Sequence, residues 1–262
     1  MKTFLVRSVC CLILTSAFLL TSAAQQSSPP DAPASHTVQP EDKPKDSGIE
    51  KKPGSTGTSN DRLFYTLPNF LTLENTGQVP PLTVGQKFKV VTRGSFDYVL
   101  IPWYSFLAGI SQAENSEPGY GQGAQGYGKR LGASFADGTI ENYMTGAVLP
   151  SLLGEDPRFF QLSQGTFWHR TGYAISRIFV TRTDSGGQQF NYSEIVGSAM
   201  SAGISTYSYH PRADRTLSNT ASVWGSEVGY DTITIVVKEF WPDIRRMLSK
   251  KKDRPIAEAD PR

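Results

Sequence analysis

Small residues recur every four positions in three segments of this chain. On a helix, residues four apart lie on one face. Glycine costs about 1 kcal/mol in a helix relative to alanine, so repeated glycines at this spacing indicate close packing. We therefore predict helices that meet through glycine, alanine and serine faces, either in a soluble bundle or in or against a membrane. The three sets are Ala124, Gly128, Gly132 and Ala136; Ser193, Gly197, Ser201 and Ser205; and Ala221, Gly225 and Gly229.

Charged residues interrupt the same segments and decide between these two environments. After the first 24 residues, no stretch offers the roughly 20 uninterrupted apolar residues that a membrane-crossing helix needs. The sequence therefore favours a soluble or membrane-associated bundle over a protein with several membrane spans. The predicted fold class is all-α, a single helical bundle over residues 61–248. The interrupting residues are Glu141, Arg177, Glu194, Glu227, Asp231 and Lys238.

Caps and prolines place the predicted helices within this domain. Thr83 is a possible N-cap, and Asn191 with Glu194 has the spacing of a capping box. Pro102 should kink its segment or reset its start, and Pro242 should bend or split the last helix. An extended segment is predicted for 61–75, before the first helix. The predicted helices run over 83–93, 96–113, 124–149 (ended by Pro150 and Gly154), 166–182, 191–209 and 218–248.

Two segments also have strand character. Residues 177–182 and 189–192 flank the turn Ser185-Gly186-Gly187 and could form a hairpin, and 232–237 is rich in β-branched residues. An outer-membrane β-barrel would need many alternating segments of about ten residues, and at most three are found here. The barrel therefore remains the second alternative to the bundle.

The chain opens with the three-part pattern of a secretory signal peptide. Lys2 and Arg7 give a positive start, an apolar run follows, and Ser22-Ala23-Ala24 supplies small residues for cleavage. We predict a signal peptide over residues 1–24 and export to the periplasm or the outer membrane. Both cysteines, Cys10 and Cys11, lie in this leader, so the exported chain has no disulfide and no thiolate metal site.

Composition then divides the exported chain into three parts. Residues 25–60 are rich in Pro, Ser and Lys and predict a disordered linker, and residues 249–262 predict a disordered polar tail. In the predicted domain over residues 61–248, Lys and Arg nearly balance Asp and Glu (15 against 16). That balance argues against nucleic-acid binding, which needs a concentrated basic face.

Residues that could carry chemistry are few and have no diagnostic spacing. The metalloprotease motif HExxH, the hydrolase motif GxSxG and the phosphate-binding loop GxxxxGK are all missing, and no metal or cofactor is predicted. His169 and His210 are the two histidines of the domain, and Glu227 and Asp231 stand four apart on one predicted helix. These four residues are the candidate catalytic groups, although capping and ion pairing explain them as well.

Four runs of this sequence resemble a family of uncharacterised exported envelope proteins of Gram-negative-type bacteria. The resemblance covers roughly residues 61–248; it implies an envelope location and a helical domain, and carries over no functional residue. We therefore expect a non-enzymatic protein, structural or membrane-associated, whose partners are membrane lipid or an envelope protein. A lipid- or cell-wall-directed hydrolase using the four candidate residues is the alternative. The runs are GYGQGAQGYGKRLGASFADG, LLGEDPRFF, FNYSEIVGSAMSAGISTYSYHP and EFWPDI.

Overall fold

The structure is a computed structural model that describes residue 58, residues 60–73 and residues 79–252, with side chains through residue 249. It is mostly helical, as predicted, with small strands. The predicted signal peptide, nearly all of the predicted linker, and residues 253–262 of the predicted tail lie outside the described residues. The helices are α1 (Val84–Ser95), α2 (Leu100–Glu114), α3 (Gly123–Tyr143), α4 (Leu149–Leu153), α5 (Phe167–Phe179), α6 (Tyr192–Ser208) and α7 (Leu217–Lys252).

Short strands fasten the chain segments between helices. β1 (Arg62–Leu63) pairs antiparallel with β2 (Leu67–Pro68) in the segment predicted to be extended. β3 (Thr72–Leu73) pairs in parallel with β5 (Phe159–Phe160). β4 (Glu155–Asp156), β6 (Val180–Thr183) and β7 (Gln188–Phe190) form an antiparallel sheet in the order β4-β6-β7. Single 3-10 turns lie at Pro118–Tyr120 and Arg212–Asp214.

The two segments with strand character fold differently. The helix predicted over 166–182 ends at Phe179. Residues 180–182 of the predicted helix belong instead to β6, which forms a hairpin with β7. The turn between these strands contains Gly186, whose φ of 90° suits glycine. The strand interpretation of 232–237 is wrong, because these residues belong to α7. Packing of one helix face overrides the weak strand propensity of β-branched residues.

The cap predicted at Thr83 is confirmed, and the next helix begins later than its predicted residue 96. The Thr83 side chain accepts a hydrogen bond from the Gln86 amide (3.4 Å), and the Gln86 side chain accepts one from the Thr83 amide (2.9 Å). This reciprocal pair is the capping box that begins α1. α2 begins at Leu100, with Pro102 in its first turn, where the missing amide has no helical partner to lose. Pro102 therefore resets the start of the segment, one of the two predicted outcomes.

The predicted end of the next helix at Pro150 is wrong. α3 continues through a π-helical turn, Met144–Val148, into α4, which contains Pro150 and ends at Gly154 with a φ of 65°. Proline lacks an amide and crowds the carbonyl four residues back, so a wider turn lets the helix absorb it. The bundle thereby gains one more turn, which ends beside β4.

One of the three small-residue sets lies in a helix interface. A Cβ added at Gly197 would lie 3.2 Å from the Leu149 side chain and 3.3 Å from the Met144 backbone, so α6 packs closely there. The predicted faces on α3 and α7 are wrong as interfaces, because a Cβ at Gly128, Gly132 or Gly225 would meet nothing within 4 Å. On α3, a neighbouring face that carries Ala133, Asp137 and Glu141 turns inward instead.

Charged side chains take part in the core. Lys87 on α1 is fully buried, and its ammonium donates to the carbonyls of Pro150 (3.1 Å) and Glu155 (2.8 Å) and to the Asp184 carboxylate (2.6 Å). These bonds tie α1 to the end of α4 and to the turn between β6 and β7. Over the described part of the chain, no helix is both long and apolar enough to cross a membrane.

Candidate functional site: an internal charged cavity

A partly open cavity of about 440 Å³ is lined by residues of the helices and of β4, β5 and β6. Its wall mixes apolar side chains with ionisable ones that come from distant parts of the sequence. Acidic residues of α3, β4, α6 and α7 line it, together with basic residues of α5, β6, α7 and the turn between β4 and β5. Ligand sites in proteins are commonly cavities of this size with a few convergent polar groups.

Three of the five carboxyl groups in the wall form a cluster, apart from Glu155 and Asp156 of β4. Glu141 on α3, Glu194 on α6 and Asp231 on α7 meet there, and the Asp231 carboxyl hydrogen bonds with both glutamates. Two carboxyl groups can share a hydrogen bond only when one of them holds a proton. The contacts therefore imply that this acid cluster is partly protonated.

Burial and mutual repulsion give the acid cluster unusual protonation behaviour. Burial, followed by the charges of Asp231, Glu227 and Glu194, raises the pKa of Glu141 to about 10. Burial and Asp231 likewise raise the pKa of Glu194 well above its usual range, and burial raises that of Asp231. Lys238, one further side chain of α7 in the wall, has its pKa lowered by burial against the pull of Asp231. Burial thus favours the uncharged forms of these three carboxyl groups and of the Lys238 amine.

Glu194 reaches the cavity because it does not complete the predicted capping box. Asn191 caps α6 as expected, since its side chain accepts a hydrogen bond from the Glu194 amide at 3.1 Å. The reciprocal bond is missing, because the Asn191 amide donates to the Phe179 carbonyl instead. Glu155 takes over at this helix end and accepts from the amides of Tyr192 (3.3 Å) and Ser193 (3.0 Å). The Glu194 carboxyl is therefore free to turn inward.

The basic part of the wall is an arginine cluster formed by Arg158, Arg177 and Arg182. Each guanidinium lies over an aromatic ring: Arg182 over Phe160 at 4.0 Å, Arg158 over the same ring at 5.5 Å, and Arg177 over Tyr173 at 4.8 Å. The Tyr173 hydroxyl in turn donates to the backbone carbonyl of Phe160 (2.6 Å), which fixes the Tyr173 ring to β5. Stacking on a fixed ring limits the movement of a guanidinium.

A second buried polar group surrounds His210, just after α6. Its Nδ1 lies 2.9 Å from a Glu117 carboxylate oxygen, and its Nε2 lies 3.4 Å from Asp137 on α3. The hydroxyls of Ser205 and Tyr209 also donate to Asp137. The loop that carries Glu117 is held by Arg130, whose side chain donates to the Glu117 carbonyl at 2.7 Å.

The His210 imidazole is positively charged in this setting. Burial by itself would lower its pKa, but hydrogen bonds with Asp137 and Glu117 outweigh burial and raise the pKa to about 10. A permanently charged imidazolium between two carboxylates is an ion pair and cannot accept a proton as a general base at neutral pH.

The four residues predicted as catalytic candidates fall in separate places. Asp231 lines the cavity, whereas His169 is exposed in the first turn of α5 and His210 is held by Glu117 and Asp137 outside the cavity wall. Glu227 lies between the two buried groups: burial, then the charges of Asp137 and Asp231, raise its pKa to about 8. The structure therefore brings Glu227 and Asp231 toward one site but leaves both histidines out of it.

Sequence reasoning missed Glu141, Glu194, Lys238 and the arginine cluster as parts of one site. A signal was present on α7, where Glu227, Asp231 and Lys238 fall at spacings of four and seven, which place them on one helix face. The packing partners on α3, α6 and β6 could be found only from the fold. Among the described residues, no group of three or more His, Cys, Asp or Glu side chains could hold a metal ion.

Comparisons give this chain no relative from which a role could be transferred. No protein family, curated protein or solved structure matches it. Chemically, the cavity can bind a charged or polar molecule, because it holds uncharged acids, a buried lysine and three arginines. Burial raises the pKa values of its clustered carboxyl groups, which is a property that binding and catalytic sites often share.

Proposed function

We propose that this is an exported, non-enzymatic protein of the bacterial envelope whose helical domain lies against a membrane. The observation that carries the proposal is the outer face of α6. Tyr192, Val196, Met200, Ile204 and Tyr207 follow each other along that face, and each is 40 to 50% exposed. No charged residue interrupts them. The face is about 22 Å long at 1.5 Å per residue.

The order of side chains on this face suits the surface of a bilayer. Aliphatic and thioether side chains occupy its centre, and a tyrosine stands at each end. Tyrosine favours membrane interfaces because its ring is apolar and its hydroxyl is polar. Monomeric soluble proteins rarely expose continuous apolar surface of this kind, so a lipid surface is the occupant we favour.

Other helices repeat the pattern, which supports the same proposal. On α5, the side chains of Trp168, Ile175 and Phe179 are exposed at helical spacing. On α2, Ile101 and Phe106 are each 57% exposed. The inner face of α6, by contrast, carries the buried serines Ser193, Ser198, Ser201 and Ser205. Apolar residues outside and polar residues inside are the reverse of the usual distribution in water.

The hydrolase alternative has less support from the geometry. It would require a histidine beside the carboxyl groups, and His169 is exposed at the start of α5 while His210 is paired with Glu117 and Asp137. The acid cluster lies next to Lys238 rather than next to a nucleophile and its base. A binding role is therefore the simpler account of the cavity.

Flotation of the purified protein with phosphatidylcholine vesicles tests the membrane proposal. We expect the wild type to float with the vesicles and the variant Val196→Glu/Met200→Glu to remain at the bottom of the gradient. Both positions are exposed, so the new charges need not disturb the fold. Gln125→Glu, at an exposed position of α3, adds charge elsewhere and should float like the wild type. If the wild type stays unbound, or if the α6 variant floats equally well, the proposal is wrong.

A further inference from the structure

We propose that the arginine cluster (Arg158, Arg177 and Arg182) binds the phosphate group of a ligand that occupies the cavity. This goes beyond the proposed function, because an anion site inside the domain does not depend on whether the outer face meets a membrane. The ligand class is a phosphate ester, and the phosphate group is common to both of its sources. It could be a free soluble ester or the headgroup of a lipid.

Arg158 is built into the wall with one donor left over. Its side chain is fully buried, its Nε and Nη2 bond the Asp156 carboxylate at 2.8 and 2.5 Å, and Nη2 also donates to the Pro80 carbonyl at 2.9 Å. Among the described residues, its buried Nη1 has no hydrogen-bond partner. A buried donor without an acceptor is costly, by about 1–3 kcal/mol, so a bound acceptor is the natural complement.

Arg177 and Arg182 supply positive charge that no carboxylate balances. No Asp or Glu in the described part of the chain lies within salt-bridge distance of either guanidinium. Within the described residues, the Arg177 guanidinium donates to its neighbour Ser176 alone, and Arg182 lies over the Phe160 ring. Arg158, in contrast, is neutralised by Asp156. Two unbalanced guanidinium groups next to a third that lacks an acceptor match an anion of charge up to two.

The acid cluster in the same cavity does not oppose an anion. Burial favours the protonated, uncharged forms of Glu141, Glu194 and Asp231, which weakens their repulsion of an anion. Glu155 is held at the start of α6, where it accepts from two backbone amides. The positive charge of Arg177 and Arg182 is therefore left facing the cavity.

Phosphate suits this cluster better than a single carboxylate does. Guanidinium groups bind phosphate oxygens with paired hydrogen bonds, and a phosphate ester offers oxygens to several arginines at once. The cavity, at about 440 Å³, is much larger than a phosphate, and its wall includes Leu63, Phe70 and Trp103. The remainder of the ligand is therefore expected to be partly apolar.

The test measures binding by isothermal titration with inorganic phosphate, with acetate as the carboxylate probe. We expect the wild type to bind phosphate more tightly than acetate, and Arg182→Gln and Arg177→Gln each to weaken phosphate binding about tenfold, the loss of one charge-assisted hydrogen bond. Arg246→Gln is the matched control, because its side chain is 75% exposed on α7 and away from the cavity. Circular dichroism should show the same helix content in all variants.

A second arm separates the lipid source from the soluble one. Phosphatidylcholine vesicles with and without phosphatidic acid are added to the same proteins. Binding that rises with phosphatidic acid and falls in Arg182→Gln supports a lipid headgroup, even if free phosphate binds weakly. The proposed anion site is wrong if wild type and Arg182→Gln bind phosphate equally well. It is also wrong if neither phosphate nor the vesicles with phosphatidic acid bind. Loss of binding to pure phosphatidylcholine would instead contradict the membrane proposal and leave the anion site standing.

Discussion

The Nε of Arg170 lies 2.8 Å from the Glu239 carboxylate, and this ion pair joins α5 to α7 inside the core. Glu239 is fully buried and also accepts from the amides of Leu162 (3.0 Å) and Ser163 (2.9 Å). We expect Glu239→Gln to lower the free energy of unfolding by about 3 kcal/mol, because it removes the fully buried partner of Arg170 and leaves only the partly exposed Asp243. Urea denaturation followed by circular dichroism measures the change.

Asp243 provides the matched control on the same arginine. It lies 2.6 Å from Arg170 Nη1, but its side chain is 32% exposed, so water can replace it. Asp243→Asn should cost about 1 kcal/mol or less. Equal effects of the two substitutions would show that burial does not govern this network.

The ion pairs of His210 predict a loss of stability at high pH. The folded pKa of about 10 lies above the ordinary value of 6.5, so the stabilisation is fully present below pH 6.5 and is lost as the pH rises through 10. The charged groups that face His210 are Glu117 and Asp137. Over that window we expect the free energy of unfolding to fall by about 3 kcal/mol in the wild type. His210→Gln should flatten the curve, and an NMR titration should show the imidazolium intact at pH 8.

Neutralising a carboxyl group of the acid cluster by mutation should stabilise the protein, whereas losing the ion pairs of His210 should destabilise it. Glu141 has a folded pKa of about 10 against an ordinary 4.5, so the folded state holds a proton that the unfolded state releases. Stability therefore falls as the pH rises above 4.5. Gln can donate to Asp231 as the protonated glutamate does, without this proton uptake. We expect Glu141→Gln to stabilise the protein by about 1–3 kcal/mol at pH 8 and to have little effect at pH 4.5.

Thermal unfolding at the two pH values measures this difference. Glu114→Gln, at the end of α2, removes a carboxylate from outside the cavity and should show no such gain at pH 8. If Glu141→Gln is destabilised at pH 8, Glu141 is ionised in the folded protein and its pKa is not raised.

Local signals in the sequence were enough to place most helices. The caps at Thr83 and Asn191 depend on neighbouring residues and were predicted correctly, and the reset start at Pro102 was one of two predicted outcomes. The end at Pro150 was wrong, because a π-helical turn over Met144–Val148 carries the helix past the proline, which local rules do not anticipate. The site was harder to predict. Its members on α3, β6, α6 and α7 are brought together by helix packing, which the four-residue spacings do not determine.

Glu194 shows how a correct local pattern can hide a functional position. Its spacing from Asn191 predicted a capping role, and Asn191 does cap α6. The carboxyl nevertheless turns to Asp231, because Glu155 from β4 already satisfies the first amides of the helix. A contact between residues 155 and 193 cannot be read from either segment alone. The residue spacing thus predicted the helix, whereas the tertiary contact of Glu155 determined where the Glu194 side chain lies.

The small-residue sets yield the last prediction, since only one of them lies in an interface. Gly225 on α7 and Gly128 on α3 have no neighbour within 4 Å of an added Cβ, so alanine there should stabilise the protein by about 0.5–1 kcal/mol through helix propensity. At Gly197, the same methyl group would lie 3.3 Å from the Met144 backbone and 3.2 Å from Leu149, and we expect destabilisation. Urea unfolding of the three single variants measures the contrast. A gain at Gly197→Ala equal to that at Gly225→Ala would show that α6 does not pack as tightly as its serine and glycine face implies.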